Sequence, residues 1–141
     1  MGALTTPEEA RQFVAATGVD VLAPAVGNMH GLLQSVLQRQ AQKRLDIARI
    51  AQLKAATGIV MTLHGGSGTN DEDFQRAIGA GITIIHINTE LRVAWRRGLE
   101  AALTARPDAV ASYRILPGAF EAVQDVVRAR LRLFSGLHRA A

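Results

Sequence analysis

Apolar positions along this chain follow two periods. Short runs rich in Val, Ile and Leu occur at 20–26, 59–63 and 82–87, the length and composition of buried strands. Between them, apolar residues recur every three or four positions, as on one face of a helix. Thr6-Pro7-Glu8-Glu9 opens the first helix, with Thr6 as N-cap, Pro7 at the first position and acids in the first turn. Its stripe is Ala10, Phe13, Val14 and Thr17, and Gly18 ends it. Pro24 donates no ladder bond and belongs near the end of its strand or at an irregularity. Asp46 caps a helix through Ile47, Ile50, Ala51, Leu53 and Lys54 that stops at Thr57-Gly58. A short helix over Asp71–Ala80 turns Phe74, Ala77 and Ile78 inward. Asn88-Thr89-Glu90 starts a long helix through Leu91, Ala94, Trp95, Gly98, Leu99 and Leu103, stopped before Pro107, with Trp95 in a core or interface. Residues 113–116 read as a connector or extended piece, and 117–134 as a last helix with Phe120, Val123, Val127, Leu131 and Phe134 on one side. Residues 32–44, rich in Gln and Leu, fit either a loop over a site or an irregular helix.

The order is therefore helix, strand, helix, strand, helix, strand, helix, helix. Alternation at this rhythm predicts an α/β fold of parallel strands joined by right-handed crossovers. Three strands do not close a barrel, and a (β/α)8 barrel needs about 250 residues. The 141 residues are thus expected to form a single partial domain, half of such a barrel.

Composition narrows the chemistry. Hydrophobic residues make up 48% of the chain, enough for a core. There is no cysteine, which excludes disulfides, zinc fingers and thiol catalysis. No apolar run approaches the roughly 20 residues that cross a bilayer, and no basic-then-apolar leader opens the chain, so a soluble, cytoplasmic protein with no membrane partner is expected. The net charge of +4 comes largely from arginines on helical patterns, without interleaved aromatics or a nucleic-acid motif. These read as solvated helix faces, some able to pair with another chain, and not as a nucleic-acid surface.

Candidate chemistry gathers where strands end. The strand at 59–63 runs into His64, then Gly65-Gly66-Ser67-Gly68, then a helix start. Strand, elbow and helix in that order place a site at the C-terminal end of a strand, where α/β folds keep their chemistry. The glycines allow positive φ and close approach to a ligand, and backbone N–H groups with the Ser67 hydroxyl suit a phosphate. The plainer alternative is a tight turn carrying a merely polar histidine. His30 and His86 also follow strand ends, so all three histidines face one side of a parallel sheet, a reasonable zinc or other divalent site. His86 stands among Ile84, Ile85 and Ile87 and equally fits a satisfied core histidine.

These residues resemble the class II, metal-dependent fructose-bisphosphate aldolases, including the tagatose-bisphosphate enzymes. Gly27-Asn28-Met29-His30-Gly31 is similar to the family's Gly-Thr-x-His-Gly, and Leu-His-Gly-Gly-Ser-Gly stands intact from Leu63 to Gly68. Residues 84–90 are similar to the family's Lys-Ile-Asn-x-x-Thr-(Asp/Glu) stretch. The resemblance covers nearly the whole chain but only the family's C-terminal half. It implies zinc held by His30 and His64, and the phosphate of dihydroxyacetone phosphate held by Gly31, Gly65, Gly66 and Ser67, with a monovalent cation beside it. His86, Ile87, Asn88 and Thr89 would contact the rest of that substrate. The implied activity is reversible aldol cleavage of a ketose bisphosphate. Two departures stand out: His86 where the family has asparagine, and Asn28 for a threonine. The family's catalytic aspartate and third zinc histidine belong to an N-terminal half without counterpart here, and no residue is assigned as catalytic; Glu90 is the nearest acid and reads better as a helix cap. A complementary half or a homo-oligomer is expected to complete the site; the alternative is a non-catalytic phosphate- or metal-binding half-barrel or an oligomerising module.

Overall fold

The computed structural model describes residues 4–28 and 44–136. Within them the elements are α1 (Pro7–Thr17), β1 (Val21–Leu22), α2 (Ile47–Thr57), β2 (Val60–Leu63), α3 (Asp71–Ala80), β3 (Ile82–Ile85), α4 (Thr89–Ala105) and α5 (Ser112–Ser135). The described residues fall into two compact units, one ending at Ile87 and the other beginning at Asn88. His30, Gly31 and most of the segment 32–44 lie outside the described residues.

The first unit is a three-stranded parallel sheet in the order β1-β2-β3, with α1 before β1, α2 between β1 and β2, and α3 between β2 and β3. The alternation of elements expected from the sequence is present, and the fold is α/β. Local chemistry accounts for each helix end. Thr6 and Glu9 form a reciprocal cap: Glu9 N–H donates to Thr6 Oγ1 (3.2 Å), and Thr6 N–H donates to Glu9 Oε2 (2.9 Å). Asp46 and Asn70 cap α2 and α3 through their side chains. At the other end of α2, Lys54 Nζ donates to the carbonyls of Gly58 (3.0 Å) and Ile59 (2.7 Å), in the turn just beyond the helix.

β1 is shorter than the expected run. Only Val21 and Leu22 pair, with Val60 and Met61. The buried Pro24 follows at once, and Ala25 turns its backbone to Thr5 instead of the sheet, accepting from Thr5 N–H and donating to Thr5 Oγ1 at 2.9 Å each. The core lies between the sheet and the helices. Leu22, Met61, Leu63 and Ile82 meet Ile50, Leu53, Phe74 and Ala77, all buried. Phe13, expected inside, is half exposed.

Between β2 and β3 the register slips by one residue. Met61 pairs with Ile82, but Thr62 pairs with Ile84 and Leu63 with Ile85. Thr83 is the extra residue of a bulge, which re-aims every side chain beyond it.

The second unit is the α4–α5 pair. α5 starts at Ser112, so residues 113–116 are helical and not the connector expected from the sequence. Pro117 removes one backbone donor six residues into the helix, and the helix continues through it. The facing stripe is also rotated one position from the expected one. Ala119 is buried and Phe120 largely exposed. The cause is a close crossing: a Cβ on Gly98 would stand 2.6 Å from Gly118 O and 2.8 Å from Ala119 Cα. Small residues therefore form the seam, and large ones flank it, as where Trp95 meets Phe120 edge-on at 5.8 Å between ring centroids. Arg130 Nε donates to Glu90 Oε2 at 2.8 Å in a largely buried pair.

Gly98→Ala tests the crossing. Alanine favours a helix interior by about 1 kcal/mol, but an added methyl against backbone costs about 1–3 kcal/mol. A net loss of stability is expected, seen as a lower urea midpoint. The Thr6 hydrogen bonds, backbone first, hold the Glu9 carboxyl below its ordinary value. The cap is therefore intact at neutral pH and lost as pH falls through the folded carboxyl's lowered range. Amide exchange in the first turn of α1 should speed up on acidification, and Glu9→Gln, which removes the titrating carboxyl, should abolish that pH dependence.

Candidate functional site

The site begins where β2 ends. Leu63 is fully buried, whereas His64, one residue on, is exposed. The turn behind it is built by glycine geometry: Gly65 (φ 63°) and Gly68 (φ 86°) take the left-handed conformation that side chains resist. Thr69 N–H donates to Gly66 O (3.0 Å) and closes the turn. Gly66 is buried, and a Cβ there would press on His86 O and Phe74 Cε1 at 3.3 Å. Ser67 is also buried, at 6% exposure, within the turn before α3.

The slip in register decides what faces His64. Without it, His64 would stand opposite Ile85. With it, the ladder continues through His86 N–H to Leu63 O (3.0 Å), and the two imidazoles meet. His86 Nδ1 lies 3.0 Å from His64 Nε2, with ring planes at 84° and centroids 4.2 Å apart. At that distance at most one of the two nitrogens carries a proton, and the other presents a lone pair. Both rings are exposed.

Two residues outside the expected set hold this arrangement. Asn28 ties the segment after β1 to the end of β2: its Nδ2 donates to His64 O (2.9 Å), and its Oδ1 accepts from Val26 N–H (2.8 Å). Asp73, in the first turn of α3, is fully buried. Its Oδ2 accepts from Leu45 N–H (2.9 Å) and Arg44 Nε (3.0 Å), which fastens residues 44 and 45 to the helix behind the turn. Asp73 Oδ1, Thr62 Oγ1 and Thr69 Oγ1 are buried without a hydrogen-bond partner among the described residues. Sequence carried a signal for Asn28, which differs from the family threonine, but none for Asp73, whose partners lie far away in the chain.

The other expected site residues are placed as follows. Ile87 is half-buried, and its Cδ1 would lie 3.4 Å from a Cβ on Gly66. Asn88 occupies the N-cap position of α4 and Thr89 its first turn, in the second unit. Glu90 is committed to Arg130. His30 and Gly31 lie outside the described residues. Among the described residues no three His, Asp or Glu side chains converge as a metal cage.

The pair of histidines nevertheless fits a shared ion. Two imidazoles bound to one tetrahedral zinc, at about 2.0–2.1 Å each, stand about 3.3 Å apart, close to the 3.0 Å between His64 and His86.

A family model described as fructose-bisphosphate aldolase class-II matches residues 1–139. The chain belongs to the class II fructose-bisphosphate aldolase family. It is 32% identical over 134 residues to a fructose-bisphosphate aldolase of Staphylococcus epidermidis, covering 95% of this chain and 45% of that protein. The aldolase of Geobacillus stearothermophilus is 32% identical over 135 residues, covering 96% and 45%. Among solved structures, the YdjI aldolase of Escherichia coli K12 superposes with a TM-score of 0.76 at 30% identity, over 93% of this chain and 46% of that one. A putative fructose-1,6-biphosphate aldolase from Coccidioides immitis gives a TM-score of 0.76 at 28% identity, over 96% and 44%. The chain thus spans about half the length of the curated relatives it matches, and it has the fold of the C-terminal half of an aldolase barrel.

Asp73→Ala tests the anchor behind the turn. It leaves the Leu45 N–H buried without an acceptor, a loss of about 1–3 kcal/mol. A lower urea midpoint with unchanged helix content at low denaturant is the expected result.

Proposed function

We propose that this chain supplies the metal and phosphate sites of a zinc-dependent aldolase. Its substrate would be a ketose bisphosphate, fructose 1,6-bisphosphate or tagatose 1,6-bisphosphate, cleaved reversibly to dihydroxyacetone phosphate and glyceraldehyde 3-phosphate. A complementary N-terminal half, carrying an acid/base group, would complete the barrel. The observation that carries this reading is the exposed His64 at the end of β2, facing a second imidazole and backed by a positive-φ glycine turn.

His30 and His64 would hold the ion. A divalent ion there supplies Lewis-acid polarisation of the substrate ketone. The chain's own residues bind and orient. Gly65 and Gly68 let the backbone of the turn curve towards a phosphate, and Gly31, Gly66 and Ser67 belong to the same proposed cradle. The N-terminus of α3 contributes less charge to that cradle, because Asn70 caps it and Asp71, Glu72 and Asp73 fill its first turn. A monovalent cation beside the phosphate would offset those acids. Asn28 keeps the His64 backbone in place while substrate exchanges. His86, Ile87, Asn88 and Thr89 complete the proposed substrate contacts.

A second reading has its own observation. Val21 and Val60, paired across the sheet, and Ile84 stay exposed on the face that bears the histidines. A half-barrel that binds metal or phosphate without turnover, and assembles through that face, is equally compatible with such a surface.

One experiment separates them. The chain is co-expressed with the N-terminal half of the Geobacillus stearothermophilus aldolase and assayed for fructose 1,6-bisphosphate cleavage with zinc. Turnover abolished by a chelator and reduced at least about a hundredfold by His64→Ala is expected. Turnover indifferent to His64 would defeat the catalytic reading. Zinc binding by a folded complex without turnover would favour the binding module.

A further inference from the structure

We propose that His64 and His86 ligate one divalent transition-metal ion together, so that His86 is a metal ligand. The inference shares with the preceding reading only the role of His64, and it stands or falls on binding, not turnover.

Four observations carry it. The nitrogens that face each other, His64 Nε2 and His86 Nδ1, are 3.0 Å apart, within the span of two ligands on one ion. Both rings are exposed, so an ion reaches them from solvent. The backbones that carry them are tied on both sides, His64 O by Asn28 Nδ2 at 2.9 Å and His86 N by Leu63 O at 3.0 Å. The donors are therefore held in place before the ion arrives, which reduces the ordering cost of binding. Finally, the bulge at Thr83 is what aligns the pair, since a regular ladder would set an isoleucine there. Two imidazole donors favour zinc, cobalt, nickel or copper over magnesium or calcium, which prefer oxygen.

The competing account is a hydrogen bond, in which His86 merely orients His64 for an ion on its other nitrogen. Asparagine separates the two. At position 86 its amide occupies nearly the place of Nδ1 and can still hydrogen-bond to His64, but it is a poor zinc ligand.

The full chain, with isotope-labelled histidine, is titrated with zinc and followed by imidazole nitrogen shifts; affinity is read by competition with a chromophoric chelator. One equivalent should shift both His64 Nε2 and His86 Nδ1. His86→Asn should weaken zinc at least about tenfold, the lower end of what losing a partner in a metal site costs, with an unchanged circular dichroism spectrum. A zinc-induced shift at His64 Nδ1 with His86 silent would overturn the proposal. So would parental affinity in His86→Asn, while loss of zinc in His64→Ala would leave the aldolase reading standing. Zinc that moves neither ring would defeat both. The nitrogen shifts come from the unmutated chain, so the result does not depend on a variant folding.

Discussion

One extra residue between paired strands is the constraint on which the site depends. β2 and β3 begin in step at Met61 and Ile82 and finish one residue out of step, at Leu63 and Ile85. Side chains alternate along a strand, so a one-residue change of register exchanges the faces of everything beyond it. Val60, Thr62 and His64 share one face of β2. Ile84 and His86 join that face opposite them only because Thr83 is skipped. The same bulge keeps Ile82 in the core against Met61 and brings two imidazoles within 3.0 Å. A regular ladder could not satisfy both.

The scaffold around that pair is tied by a few side chains, although Thr62 Oγ1, Thr69 Oγ1 and Asp73 Oδ1 are buried without a hydrogen-bond partner among the described residues. Phe74 lies buried beneath Gly66, Asp73 fastens residues 44 and 45, and Asn28 ties the segment after β1 to the end of β2 through one side chain. A buried carboxylate is tolerated there because backbone and guanidinium donors meet it, at the N-terminal end of a helix that favours negative charge. Among the described residues the candidate chemistry thus sits on the short, anchored connection between β2 and α3. Of the acids near it, Glu90 pairs with Arg130, and Asp71, Glu72 and Asp73 stand in the first turn of α3, where negative charge is favoured.

Among the described residues, the sheet of the first unit is covered by helices on one face only. A parallel sheet is ordinarily covered on both faces. Here α1, α2 and α3 cover one, while Val21, Val60 and Ile84 stay exposed on the other, and among the described residues β1 and β3 are the outer strands. Val21, Val60 and Ile84 are each about two-fifths exposed, so complete burial would add only about 0.6–1.2 kcal/mol apiece. The rest of a barrel, as in relatives about twice as long, would recover that energy and close both edges.

Much of this was legible in the residues themselves. Thr6, Asp46 and Asn70 before apolar stripes, with Gly18, Gly58 and Gly81 after them, mark three helices, because capping chemistry is local. The alternation of periods marked a parallel α/β sheet, and the intact Leu63–Gly68 motif marked the family. What failed were judgements that depend on a neighbour. The inward face of α5 could not be chosen from its own pattern, since two adjacent stripes are apolar and only the Gly98 crossing selects the smaller one. Pro117 reads locally as a helix start, yet packing carries the helix past it. The anchoring roles of Asn28 and Asp73 depend on partners 36 and 28 residues away. Sequence determined the elements, their order and the family motif at the end of β2. Only the tertiary structure decided which ring His64 meets, because the strand register depends on how both faces of the sheet pack, and no single strand encodes that.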